Sequence, residues 1–184
     1  MTKTRYIGVA LFLSVSIAQA RAELPTPTIA ASPSADELRQ PQPLRARGIP
    51  AALAVEAALE ANAVCLQNTY KTTAMITDSA GVPIVMISND GAAAITQRVA
   101  MGKIQAVLKY RMTSGEIAER AKTDAALGAE IKANPMIDTA RQGALPIKVG
   151  NDIVGAIAVS GAPGGDKDEV CARAGLTKIQ KRLF

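Results

Sequence analysis

The stretch from residue 144 to 170 constrains the fold more than any other part of the sequence. It contains two apolar runs on either side of a Gly-Asn-Asp turn at 150–152, and this arrangement predicts a β-hairpin. In the second run, 153–160, both alternating sets of residues are apolar or small, so we expect a central strand covered on both faces. The first run alternates with Pro146 and Lys148 and therefore predicts a half-exposed or edge strand.

Apolar periodicity elsewhere predicts a second hairpin and five helices. The segments are a helix at 50–68, strands at 72–77 and 82–88, a helix after Gly91 to about Arg111, a helix capped by Thr113 with Glu116 as its capping-box partner, a helix at 124–134 interrupted at Gly128, and a last helix that opens at Asp166 with Glu169 as partner. Hairpins join neighbouring antiparallel strands. The predicted fold class is therefore α+β, with an antiparallel sheet built from two hairpins and helices packed on it.

Spacings of three and four residues predict which helix faces are buried. The stripes are Ala52, Val55, Leu59 and Leu66 in the first helix, Ile95, Val99, Ile104 and Leu108 in the second, and Ala172, Leu176, Ile179 and Leu183 in the last. We expect these stripes to face the core.

The first 22 residues have the pattern of a secretory signal peptide. Lys3 and Arg5 precede an apolar run at 7–18, which is shorter than the roughly 20 residues of a bilayer-spanning helix. Small residues at the spacing of a cleavage site end at Ala20 and again at Ala22. We expect cleavage at one of these two positions.

The segment after the leader, 23–48, is rich in proline and predicts an extended linker, and one domain follows at 49–184. Loss of the leader removes three cations and lowers the formal net charge from +5 to +2. We therefore expect a periplasmic or secreted protein with no membrane span in the mature chain.

The two cysteines, Cys65 and Cys171, lie on small-residue faces of the first and last predicted helices. An oxidising compartment and the close approach that small residues permit favour a structural disulfide. Two separate buried thiols are the alternative. Redox catalysis is disfavoured because the sequence contains no Cys-X-X-Cys pair.

Missing residue types exclude several functions. The sequence contains no histidine, which excludes Ser-His-Asp and Cys-His catalysis, histidine-rich zinc sites and histidine-ligated haem. After cleavage the aromatic residues are Tyr70, Tyr110 and Phe184, so base stacking has few platforms. With the low net charge of the mature chain, this predicts no nucleic-acid partner.

The final strand and helix offer weaker candidates. Ser160 ends the strand at a position that suits a nucleophile or a plain turn serine. Asp166, Asp168 and Glu169 could ligate a hard cation, although three acids in a first helical turn more simply cap the helix. The same acids would repel an anion from the glycine-rich loop at 161–165.

Five short sequences follow one another along the chain: TDSAG at 77–81, SNDGA at 88–92, AMGK at 100–103, LPI at 145–147 and VGAIAVSG at 154–161. Together with Asp168 and Glu169 they resemble the GlcG/HbpS family over roughly residues 49–183. The resemblance implies a compact α+β domain with a GlcG/HbpS-like, profilin-like fold that assembles into homo-oligomers. Some relatives bind haem, so it also implies a small-molecule ligand, with haem or a related tetrapyrrole as the leading cofactor.

Five residues are ligand-binding candidates: Asp90, Lys103, Arg111, Thr113 and Ser160. Lys103 and Arg111 could pair with haem propionates or another carboxylate, or could form a solvated helix face. Without histidine, an axial ligand would have to be a Met, Tyr or Lys side chain or a hydroxyl such as that of Thr113. Asp90 could line a pocket or cap the second helix. We assign no catalytic residue and no metal site. An enzyme acting on a small carboxylated metabolite, with Lys103, Asp90 and Ser160 at its site, and a structural oligomer without a ligand are the alternatives.

Overall fold

The computed structural model of the protein describes residues 46–183. The predicted signal peptide and the predicted linker up to residue 45 lie outside the described residues. The elements are α1 (Ala51–Gln67), β1 (Thr73–Asp78), β2 (Pro83–Ser88), α2 (Ile95–Tyr110), α3 (Ser114–Thr123), α4 (Ala125–Ala133), β3 (Ala144–Val149), β4 (Asp152–Ser160) and α5 (Gly165–Gln180).

The four strands form one antiparallel sheet in the order β2-β1-β4-β3. Each hairpin supplies one inner and one edge strand, and the inner strands β1 and β4 pair with each other, with Thr73 opposite Ser160. Val154 and Ala158 of β4 are 4% and 0% exposed, which confirms a central strand covered on both faces. β3 is an edge strand, also as predicted, and the fold class is α+β.

Helices cover both faces of the sheet. α1 and α5 lie on one face, where Ile76, Ile157 and Val159 belong to the larger core cluster. α2 lies on the other face, where Ala156 and Ala158 pack against its buried side. α3 and α4 close a third, smaller cluster beside the end of α2. Among residues 46–183, none of the helices combines the length and apolar content needed to cross a bilayer.

The buried face of α1 is opposite to the predicted one. Its core side carries the small residues Ala54, Ala57, Ala58 and Ala61 together with Cys65. The predicted stripe faces outward, with Val55 40%, Leu59 54% and Leu66 56% exposed. Small side chains let α1 approach α5 more closely than leucines would, so the larger residues are left outside.

α1 and α5 are in close contact and are joined by the Cys65–Cys171 disulfide, as the sequence predicted. The two Cα atoms lie 5.6 Å apart, and both cysteines are buried. At Gly175 a Cβ would collide with the carbonyl of Ala57, so only glycine permits this approach. The bridge links the two helices that cover one whole face of the sheet.

Three helix predictions need correction. Ile95 opens α2 but is 58% exposed, because it precedes the part of the helix that packs on the sheet. α4 continues through Gly128 without interruption, because a helix whose other residues favour it tolerates a single glycine. The N-cap of α5 is Gly164, and Asp166 lies inside the first turn.

Candidate functional site

An open groove lies where β4 ends, between α2 and the glycine-rich loop that leads into α5. α2 contributes Ile95, Thr96, Val99 and Lys103 to one wall, and the segment 141–142 and the loop from Ser160 to Asp168 complete it. The cavity measures about 480 Å³, which falls within the range of small-molecule sites. We call it the Lys103 groove.

A buried ion pair forms part of this groove. The Lys103 Nζ lies 2.7 Å from Asp168 Oδ2 and also donates a hydrogen bond of 2.8 Å to the carbonyl of Val159. The other Asp168 oxygen, Oδ1, accepts a hydrogen bond of 2.9 Å from the backbone N–H of Ala162. The two side chains are 2% and 5% exposed. The pair thereby links α2, the end of β4, the loop and α5 at one point.

Burial opposes both charges of the pair. It lowers the pKa of Lys103 below its ordinary value, against the pull of Asp168, and the positive charge of Arg141 lowers it further. Burial also raises the pKa of Asp168, although Lys103 and the Ala162 N–H both favour the carboxylate. Burial therefore moves the two pKa values toward each other.

Gly143, which immediately precedes β3, leaves room for the Lys103–Asp168 ion pair because it has no side chain. Its φ is +125°, and a Cβ there would stand 2.6 Å from Lys103 Nζ and 2.7 Å from Asp168 Cβ. Its carbonyl also accepts a hydrogen bond of 2.9 Å from the N–H of Val159. A side chain at this position would displace the ion pair.

Hydroxyl groups continue from the groove across the sheet. Ser160 lines the groove and stands opposite Thr73 in the sheet register. Thr73 Oγ1 lies 2.7 Å from the hydroxyls of both Ser88 and Thr96, and Thr96 donates to the carbonyl of Ala93. Ser160 is 5% exposed, and within residues 46–183 its hydroxyl has no hydrogen-bonding partner. Its hydroxyl is therefore open to the groove rather than enclosed in the core.

The groove brings together two of the five predicted ligand-binding residues, Lys103 and Ser160. Lys103 does not lie on a solvated helix face, since it is 4% exposed. Arg111 is exposed at the C-cap of α2 with φ +60°, and Thr113 caps α3. Asp90 is exposed in the turn after β2 and does not cap α2, whose N-cap is Ala94. Asp90, Arg111 and Thr113 do not line the Lys103 groove.

The Thr113 hydroxyl takes part in the predicted capping box. It accepts a hydrogen bond of 3.2 Å from the N–H of Glu116, and the Glu116 carboxylate accepts hydrogen bonds of 2.8 Å from both the N–H and the hydroxyl of Thr113. These hydrogen bonds lower the pKa of Glu116. Thr113 therefore stabilises the start of α3.

Sequence reasoning missed the Lys103–Asp168 pair and the position of Arg141. One signal for the pair was present: Lys103 follows Ala100 by three residues and precedes Val107 by four, which places it on the buried face of α2. Nothing in the sequence indicated that the carboxylate needed there would come from Asp168, because the two residues are 65 positions apart. Arg141 lies in the segment 136–143, for which no element was predicted.

A second groove of about 360 Å³ lies between the end of α2 and helices α3 and α4. Tyr110, Met112 and Arg120 line it with apolar residues of both helices. The Tyr110 hydroxyl donates to Glu130 over 3.2 Å, and burial raises the pKa of Tyr110. Within residues 46–183, no group of three His, Cys, Asp or Glu residues is arranged to hold a metal ion.

Comparison with known proteins identifies the family. The family model described as haem degrading protein HbpS-like matches residues 49–177, which covers almost all of the described domain. The chain belongs to the HbpS-like family. No curated protein sequence matches it.

Solved structures share the HbpS-like fold. A double mutant of Streptomyces reticuli HbpS is 24% identical with a TM-score of 0.65, over 83% of this chain and 97% of that one. The Klebsiella pneumoniae protein ORFY is 17% identical with a TM-score of 0.67, over 76% and 96%. PduOC, solved as a complex with heme, is 15% identical with a TM-score of 0.66, over 72% and 95%.

Proposed function

We propose that this HbpS-like protein binds haem or a related tetrapyrrole and that the Lys103 groove is the binding site. The observation that carries the proposal is the family match over residues 49–177, whose description names haem degradation. The complex of PduOC with heme, which has the same fold, supports a tetrapyrrole ligand. The groove supports the location, since two residues predicted to contact a ligand, Lys103 and Ser160, line it.

The residues of the groove fit the organic part of a haem. Ile95 and Val99 offer an apolar wall to the macrocycle, and Arg141 offers a cation to a propionate. For the iron, the groove provides the Ser160 hydroxyl and the Lys103 amine, which already donates to two acceptors. Both cysteines are in the disulfide and the sequence has no histidine, so neither thiolate nor imidazole is available. Binding would therefore depend on contacts with the macrocycle and its carboxylates.

We also propose that the protein acts in the periplasm or outside the cell, after removal of the predicted leader. The Cys65–Cys171 disulfide supports this location, because such bonds persist mainly in oxidising compartments.

Titration of the purified protein with haemin tests the proposed ligand. We expect a saturable shift of the Soret band at micromolar protein. Iron-free protoporphyrin IX should bind with an affinity similar to that of haemin, because the groove contributes little to the iron. Substitution of Val99→Asp places a charge on the apolar wall and should weaken both ligands by about tenfold or more.

A matched control places the same charge in the second groove, where Leu127→Asp should leave haemin binding unchanged. Unchanged haemin spectra with the wild-type protein would overturn the tetrapyrrole proposal. Loss of binding in Leu127→Asp, with Val99→Asp unaffected, would move the site to the groove that contains Tyr110.

An enzyme acting on a small carboxylated metabolite is the second candidate. The specific observation in its favour is the buried Lys103–Asp168 pair, whose pKa values burial shifts toward each other beside the free hydroxyl of Ser160. Turnover of a small carboxylic acid that is lost in Ser160→Ala, a variant that leaves the Lys103–Asp168 pair intact, would support this candidate.

A further inference from the structure

Four charged residues line the Lys103 groove: two cations, Lys103 and Arg141, and two carboxylates, Asp166 and Asp168. Lys103 and Asp168 neutralise each other at 2.7 Å. Arg141, which also lines the groove, is exposed and forms no ion pair with any residue in 46–183. Asp166 also lines the groove, and its carboxylate lies against Gly164. A cation without a carboxylate of its own therefore borders the cavity.

The Ser160 hydroxyl is the second group without a partner. Ser160 is 5% exposed, and its hydroxyl has no hydrogen-bonding partner among the described residues. Because Ser160 lines the groove, its hydroxyl is open to the cavity and can donate to an acceptor oxygen of a ligand there. Arg141 and Ser160 line the same groove and come from different elements. A planar anion could contact both.

We propose that the Lys103 groove contains a carboxylate-binding subsite in which the Arg141 guanidinium and the Ser160 hydroxyl hold the ligand carboxylate. The planar guanidinium matches the two oxygens of a carboxylate, and such charge-assisted hydrogen bonds are stronger than neutral ones. The Lys103–Asp168 pair fixes the wall beside it, because it ties the loop at Ala162 to α2. The carboxylate can come from a tetrapyrrole propionate or from a free organic acid. This subsite rests on the groove of the proposed function and adds that Arg141 and Ser160 bind a carboxylate there.

The test compares ligands that differ in the carboxylate alone. Haemin is titrated against haemin dimethyl ester by the Soret shift, and acetate and succinate are titrated by the amide NMR shifts of residues 160–162. The variants are Arg141→Gln and Ser160→Ala, with Arg98→Gln as matched control because Arg98 is exposed on α2 and does not line the groove. Thermal unfolding of each variant shows that it folds.

We expect haemin to bind about tenfold more tightly than its dimethyl ester, and Arg141→Gln to abolish the difference. Ser160→Ala should reduce the difference several-fold, and Arg98→Gln should preserve it. Loss of the acetate and succinate shifts in Arg141→Gln, with no haemin binding by the wild type, would support the subsite with a free acid and overturn the tetrapyrrole proposal. Equal binding of haemin and its ester without any response to the small acids would overturn the subsite and leave the tetrapyrrole proposal standing. Carboxylate effects that persist in both variants, or no binding of any of the four ligands, would also overturn the subsite.

Discussion

The buried pair of Lys103 and Asp168 is tolerated because both charged groups also form hydrogen bonds with the backbone. Lys103 donates to Asp168 and to the Val159 carbonyl, and Asp168 accepts from Lys103 and from the Ala162 N–H. Two charges removed from water are stabilising only with such geometry, and loss of one partner leaves the other charge uncompensated. Removal of either side chain should therefore lower the stability of the fold considerably.

Replacement of Lys103 by methionine tests this cost and its pH dependence. We expect Lys103→Met to lower the free energy of unfolding by about 3–5 kcal/mol at neutral pH. Burial already raises the pKa of Asp168, and loss of Lys103 raises it further above its value in the unfolded chain. The folded variant then binds a proton more tightly than the unfolded one, so its deficit relative to the wild type should shrink between neutral pH and about pH 4. Urea unfolding across this pH range measures it.

Asp168→Asn is the matched partner variant and should behave in the opposite way. It leaves Lys103 buried without its anion, which lowers the pKa of Lys103 further. The free energy of unfolding of Asp168→Asn should therefore fall further below that of the wild type as the pH falls from alkaline values, since the buried Lys103 amine must then take up a proton. Deficits that do not change with pH in either variant would show that the pair does not carry this stability.

At the level of single residues, the sequence predicted local partners better than distant ones. The capping box of Thr113 and Glu116 was predicted because its members are three positions apart. At the start of a helix this spacing places each side chain within hydrogen-bonding distance of the other residue's backbone N–H. The contact between Lys103 and Asp168 depends on how α2 and α5 cross the sheet, which no local spacing encodes. Ser160 was predicted as a ligand-binding residue only because it ends a strand beside a glycine, and the sequence did not indicate the groove that it lines.

Among the elements, α1 and α5 form the tightest helix pair, and the covalent bond between them sits inside their contact. Cys65 and Cys171 are 0% and 1% exposed, and Gly175 permits the approach to Ala57. The packing itself does not require the sulfur–sulfur bond, because small residues fill the remainder of the contact. The disulfide therefore acts mainly on the unfolded chain.

Removal of this disulfide should lower stability without altering the fold. The sequence separation is 106 residues, for which the chain-entropy model gives about 4–5 kcal/mol of stabilisation. We expect Cys65→Ala/Cys171→Ala to lower the free energy of unfolding by up to this amount in urea. The far-ultraviolet circular dichroism of the double variant should match that of the wild type.

A reductant supplies the control for the disulfide. Dithiothreitol should leave the native wild type oxidised, because both sulfurs are buried, and should shift its unfolding midpoint to that of the double variant once the chain opens. Coincident midpoints of the oxidised wild type and the double variant would contradict a stabilising role.

The outward face of α1 shows why a buried helix face could not be read from hydrophobicity. The sequence contains one face with larger apolar residues and another with alanine and Cys65, and the larger residues predict the core. Close packing on α5 selected the small face, because the distance between the two helices decides which side chains fit. The central position of β4 and the edge position of β3 were predicted more successfully, since the alternation of residues within these strands indicated which of their faces are covered.

For the whole molecule, the exposed stripe of α1 is the feature that a single copy leaves unexplained. Ala52, Val55, Leu59 and Leu66 follow the spacing of three and four residues along which helices pack on one another. The acids beside the stripe are already neutralised, because Glu56 pairs with Arg182 and Glu60 with Lys178. Two copies could thus bring these faces together without opposing unpaired like charges. We therefore propose a second copy of the chain as the occupant of this stripe; the homo-oligomer predicted from the sequence stays a prediction.

Substitution of Leu59→Lys should separate the copies. Leu59 is 54% exposed at the middle of the stripe, so a lysine there keeps the folded monomer soluble while it places two cations at the centre of the contact. We expect sedimentation velocity to give an oligomer for the wild type at micromolar concentration and a monomer for Leu59→Lys. Met136→Lys, at an apolar side chain that is 57% exposed outside the stripe, should leave the oligomer intact. A monomeric wild type would contradict self-association, and an oligomer that survives Leu59→Lys would place the contact on another face of the domain.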